Sequence, residues 1–190
     1  MSEDYREMWK NLGLDLEAHD ALLEVLGNAY QDIYMTQQDR PEGMGYFDFV
    51  MSEVHGLRIK ELMDKKEAGR KIIGSFCVFV PEEIVLAADA ALVGLCAGAD
   101  FAMEEVDKFL PRNTCSLIKS AFGFNLGKVC PYIESADMIV GEITCDGKKK
   151  AYETLNDLVS NLYVMDIPQM KSTEGRDLLK AEYMRFKNAV

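Results

Sequence analysis

The chain has no CxxC pair, no GxGxxG or Walker loop and no run approaching 20 uninterrupted apolar residues. Each absence removes a class of function. Without a glycine-rich phosphate loop, a nucleotide site of the chain's own is not expected, because "GLCAGAD" has too few glycines to cradle a phosphate. Without a long apolar run no membrane span is expected, and the charged opening "MSEDYREMWKNLGLDLEAHD" lacks the core of a signal peptide. Basic residues are also in deficit, 21 against 32 acidic ones, and a net charge of −11 repels a phosphate backbone. These features point to a cytoplasmic protein that binds neither nucleic acid nor membrane. There is no internal repeat and no low-complexity segment.

What is present is a 48% apolar chain of 190 residues, enough for one sizeable core. Residues 1–70 read as a helical segment. In "DALLEVLGNAYQDIYM", Leu22, Leu23, Leu26, Tyr30 and Ile33 share one helical face; "FDFVMSEVHGLRIKELMDKKEAG" resumes the spacing after the loop "RPEGMGY", with Gly69 as its C-cap. From Lys71 onward the period changes. "KIIGSFCVFV", "ALVGLC", "DMIVGEI" and "LYVMDIP" read as buried strands. They alternate with helices at "PEEIVLAADA", "DFAMEEVDKFL", "TCSLIKSAFGF" and "KKKAYETLNDLVSN", and a final helix follows "STEG". This pattern predicts an α/β fold, a parallel sheet with flanking helices over 71–190. The chain stops inside a helical pattern, as a piece of something longer would.

Five cysteines are an odd number for a reducing compartment, so some are thiols or metal ligands. In open parallel sheets, ligands gather beyond the carboxyl ends of the strands. Cys77 and Cys96 close two strands, Cys145 follows a third, and Cys115 opens a helix capped by Asn113 or Thr114. Four thiols are thus expected on one rim. The helix N-termini at Cys115 and Cys145, with Lys148, Lys149 and Lys150 nearby, favour thiolates and an anionic ligand, and thiolates drawn from separate loops suit an iron–sulfur cluster. The plain alternative is that each cysteine is a small core residue. Cys130, in "VCPYIE", has no strand-end position and fits that alternative best. Zinc is disfavoured because His19 and His55 lie far from the cysteines in sequence. Glu82 and Glu83 serve as acid/base groups or as helix-dipole partners; Arg112 is a surface charge or a donor to a ligand; the lysine run is a solvated face or part of the site.

The ordered segments "CVFVPEEIVLAADA", "VGLCAG", "FLPRNTCSLIKSAFGF", "CPY", "ADMIVGEITCDGKKKAYE" and "YVMDIPQM" resemble the 2-hydroxyacyl-CoA dehydratase component D family, relatives of 2-hydroxyglutaryl-CoA dehydratase and benzoyl-CoA reductase. Within it they look most like the double-cubane cluster proteins. Ser116 and Ile143 depart from the family pattern without removing a ligand. The resemblance implies a Rossmann-like domain over 71–190, with the family's second domain absent. It also implies cluster ligation by Cys77, Cys115 and Cys145, with Lys148 stabilising the cluster's charge. The cofactor would be [4Fe-4S] or [8Fe-9S], fed with electrons by an ATP-hydrolysing activator, and a homodimer or a second chain would complete the pocket. The implied activity is that of an iron–sulfur reductase of the double-cubane type. The alternatives are a piece of a dehydratase or benzoyl-CoA reductase and a non-catalytic cluster-binding or docking module.

Overall fold

The computed structural model describes residues 5–95, 97–99 and 102–190. Helices α1 (Arg6–Asn11), α2 (Leu16–Tyr30), α3 (Met44–Ser52) and α4 (Leu57–Glu67) come first, and a π-helical turn, Gln31–Met35, extends α2. Then follow β1 (Ile72–Ser75), α5 (Glu82–Ala87), β2 (Ala91–Gly94), α6 (Met103–Val106), α7 (Ser116–Leu126), α8 (Pro131–Ser135), β3 (Met138–Ile143), α9 (Asp146–Leu155), β4 (Leu162–Asp166) and α10 (Thr173–Ala189). All strand pairings are parallel, in the order β2-β1-β3-β4. This is the α/β architecture that the alternation of apolar runs and amphipathic segments predicts.

The strands are short and nearly continuous in apolar residues because both faces are covered. Successive side chains point to opposite sides, so adjacent residues join different clusters. Ile72, Ala91, Val93 and Ile139 pack with Leu22, Ile59 and Leu62 of the early helices and with Phe124, Tyr132 and Ile133 of α7 and α8. Ile73, Met138, Val140 and Met165 pack on the other face with Val85 of α5 and Phe186 of α10. A third cluster joins α6, α7 and α9 through Val106, Leu110, Ile118, Phe122, Ala151 and Leu155. The helices ahead of β1 therefore share one core with the sheet.

Local departures have local causes. The helix expected through "FDFVMSEVHGLRIKELMDKK" is two helices, broken at Glu53–Gly56. Glu53 accepts the Leu57 amide at 3.2 Å and the Tyr5 hydroxyl at 3.0 Å, capping α4 from outside. A Cβ on Gly56 would meet the Tyr5 ring at 2.3 Å, so only glycine admits that ring. The helix expected over "DFAMEEVDKFL" shrinks to Met103–Val106, entered from Ala102 in the left-handed region (φ 51°). Asp100 and Phe101 lie outside the described residues. The strand expected to run to Val80 stops at Ser75, and Val78 and Phe79 face solvent instead. No helix among the described residues is long and apolar enough to cross a membrane.

Candidate functional site

The strand order places a switch point between β1 and β3: the chain leaves β1 toward β2 on one side and leaves β3 toward β4 on the other. Loops that part in this way leave a crevice at the carboxyl ends of the strands, the usual ligand position in such sheets. Cys77 lies two residues beyond β1 and Cys145 two beyond β3, so the two thiols flank the switch point. Cys77 is half-buried and Cys145 exposed. Both are close enough to the Tyr152 phenol to raise its pKa, behind the larger effects of its burial and of Glu142.

Cys145 is the N-cap of α9, in extended conformation, and its Sγ accepts the Lys148 amide at 3.4 Å. Sulfur thus occupies the place an Asp or Ser oxygen usually takes, facing the unpaired amides and the positive end of the helix dipole. Cys115 is the exposed N-cap of α7 and makes no side-chain capping bond. The expectation that Asn113 or Thr114 caps this helix is therefore corrected: the cap position belongs to the cysteine. Cys115 and Gly147 both line a pocket of about 360 Å³ with Thr114, Lys150 and Phe109. A Cβ on Gly147 would lie 3.9 Å from the Cys145 sulfur and 2.9 Å from Ile118 Cδ1, so the bare backbone there lets α7 approach α9. The rim around these thiols is apolar and open: Val78, Phe79, Phe109 and Leu117 are each between 43% and 91% exposed.

The other candidates separate cleanly. Cys130 is fully buried in the core beside Val129 and Ile133 and stands away from the strand ends. Cys96 lies outside the described residues. Arg112 projects into solvent, 3.7 Å from Asp107. Lys150 pairs with Glu153 at 3.1 Å on the solvated face of α9, and Lys149 is exposed, whereas Lys148 turns inward. Glu82 and Glu83 stand exposed in the first turn of α5, beside a crevice of about 760 Å³ that Cys77 also lines. His19 and His55 meet each other among the early helices, buried.

Two residues at this edge escape a reading focused on sulfur. Glu142 is fully buried near the end of β3, and the signal for it is a lone carboxylate inside the apolar run "MIVGEI". Ser120, buried in α7, receives the amides of Gly98 and Ala99 and donates to the Ala99 carbonyl, fixing the chain after β2. No sequence pattern marks it.

The donor chemistry fits an iron–sulfur cluster. The candidates are thiols outside any disulfide: Cys77 in the loop after β1, and Cys115 and Cys145 at helix N-termini, where helix amides favour negative charge. Among the described residues no three His, Cys, Asp or Glu side chains converge closely enough to hold a single ion.

The sequence pattern of the family described as 2-hydroxyglutaryl-CoA dehydratase, D-component, matches residues 77–190, opening on Cys77 and running past Cys145 and Lys148. The chain belongs to that family. A relative from Escherichia coli (strain K12), described as "Putative dehydratase subunit YjiM", is 44% identical over 140 residues, which are 73% of this chain and 36% of the relative. The match thus spans little more than a third of that relative's length.

Proposed function

We propose that this D-component chain is the cluster-bearing lobe of an iron–sulfur protein in which Cys77, Cys115 and Cys145 ligate the cluster. The observation that supports the reading is the pair of N-cap thiols, Cys115 and Cys145, on the neighbouring helices α7 and α9, with Cys77 in the β1 loop across the switch point from Cys145. Such a cluster, [4Fe-4S] or [8Fe-9S], supplies one-electron transfer at low potential when bound. The chain's own residues ligate and hold it. The amides of α7 and α9 and the inward ammonium of Lys148 offset negative charge, while Val78, Phe79, Phe109 and Leu117 shield the site once a second surface closes on them. That surface comes from a second copy or from a chain supplying a second domain, and the electrons come from an ATP-hydrolysing activator in the cytoplasm. Residues 1–70 form the helical segment and 71–190 the cysteine-bearing domain.

Reduction of small molecules by a double-cubane cluster is the first reading of the chemistry, on the strength of "GEITCDGKKK". Dehydration of a 2-hydroxyacyl-CoA is the second, favoured by the family's description and by the relative's name. Anaerobic reconstitution followed by iron and sulfide analysis and a visible spectrum tests the shared core of both. Bound iron with charge-transfer absorption is expected, and a colourless chain with its thiols titratable overturns it. For a loaded protein, acetylene reduction separates the first chemistry from turnover of a 2-hydroxyacyl-CoA.

A further inference from the structure

β3 carries a carboxylate where its neighbours carry hydrocarbon. Glu142 is fully buried, and neither side-chain oxygen makes a hydrogen bond. Its closest countercharge is Lys148 Nζ, 3.6 Å away, on a side chain only 16% exposed. Burial pushes the Glu142 carboxyl up, against the pull of its own amide, of Lys148 and of the Cys77 amide. A buried ion pair of this kind does little for stability, because desolvation cancels most of the attraction, and an apolar pair of similar volume commonly does better. Its presence calls for another role.

Connectivity supplies one. Lys148 is tied twice: its backbone N–H donates to Cys145 Sγ and its ammonium faces Glu142. The segment from Glu142 to Lys148 is therefore a closed loop, with Cys145 near its middle. The Cys77 amide is also close enough to pull weakly on the Glu142 carboxyl without forming a hydrogen bond, which sets the carboxylate near the β1 loop as well. We propose that Glu142 is a positioning residue, which holds Lys148 inward and so fixes the first turn of α9 and the Cys145 sulfur against the β1 loop. Its purpose rests on the cluster reading above; the positioning itself is a property of the metal-free chain.

The test uses the full metal-free chain at one fixed pH. Alkylation of each thiol by iodoacetamide is followed by mass spectrometry, alongside amide exchange over residues 144–149. In Glu142→Gln, Cys145 alkylation and exchange in that segment should rise roughly fivefold or more, with Cys115 changing less than about twofold. Lys148→Met should do the same with less risk to the core, and the double variant should add nothing further. Glu142→Leu with Lys148→Met should match or exceed the wild type in stability while Cys145 remains fast, which a purely structural pair would not do. Unchanged Cys145 kinetics in both single variants, or equal acceleration of Cys115, overturns the proposal. Iron analysis separates the two ideas. If the variants show these kinetics but the wild type binds no iron, the cluster reading alone is lost; if the wild type loads iron and the variants do not show them, the positioning role alone is lost.

Discussion

The imidazoles of His19 and His55 lie 3.0 Å apart, Nε2 to Nδ1, with their rings stacked at 5.2 Å and the Trp9 indole edge-on to His19 at 4.4 Å. Only one proton fits between two nitrogens that close, so one imidazole donates and the other accepts. Burial holds His55 down at about 4, with His19 adding to the effect, and His19 is also lowered, chiefly by burial. The unfolded chain binds protons from about pH 6.5 downward, and the folded one refuses them until near 4. Stability is therefore at its full value above about 6.5 and falls as pH drops toward 4, by about 3 kcal/mol from His55 alone. Urea denaturation across that range checks it. His55→Gln should flatten the slope, and an identical slope in wild type and variant refutes the account.

Two glycine-to-alanine changes should move stability in opposite directions. Gly27 lies in α2 with nothing near its missing Cβ, so alanine there should stabilise by about 0.5–1 kcal/mol. Gly175 in the first turn of α10 would put a Cβ 2.3 Å from the Met170 carbonyl oxygen, and its amide already caps onto Ser172 Oγ at 3.0 Å. Alanine at 175 should cost about 1–3 kcal/mol. Thermal melts of the two variants measure both effects.

The cysteines divide by cost. Cys130→Ala removes a fully buried side chain and should lower stability by about 1 kcal/mol while leaving reconstituted iron intact. Alanine at Cys77, Cys115 or Cys145 should abolish most of the iron at little cost to folding, since two of these side chains are exposed and the third half-buried. Equal iron loss in all four variants would contradict the ligand assignment.

Between α2, its π-helical extension and α3 runs a groove of about 780 Å³ walled by Leu23, Leu26, Ile33, Tyr34 and Met51. Open apolar surface of this kind takes up hydrophobic dyes. The folded chain should enhance anilinonaphthalene sulfonate fluorescence, and Leu26→Lys should remove the share due to this groove, leaving that of the open rim, without lowering the melting temperature, because Leu26 is already 43% exposed.

The sheet was readable because the central strands β1 and β3 are buried on both faces and the half-buried edge strands β2 and β4 stay rich in apolar residues, so each appears as a short, mainly apolar run between charged or turn residues. Gly69 at φ 87° ends α4 as its sequence position suggests. Periodicity misled where an apolar face meets no core: Leu26 and Ile33 hold the helical spacing of Leu22, yet only Leu22 is buried. The same blindness extended "IIGSFCVFV" past Ser75, since exposed Val78 and Phe79 look identical in sequence to buried residues. The five-residue α8, opened by Pro131, is too short to show a period at all. At the candidate site, residue type and strand position pointed to the thiols, whereas the inward turn of Lys148 and the isolation of Glu142 depend on neighbours brought together only by folding.

The divergence of the β1 and β3 loops also separates two adjustments that a hairpin would couple. One residue added between Ser75 and α5, or between Ile143 and α9, would displace a single sulfur and leave every strand pairing in register. Sulfur spacing here can therefore change while the sheet is kept, so a lineage could respace these thiols without rebuilding its core.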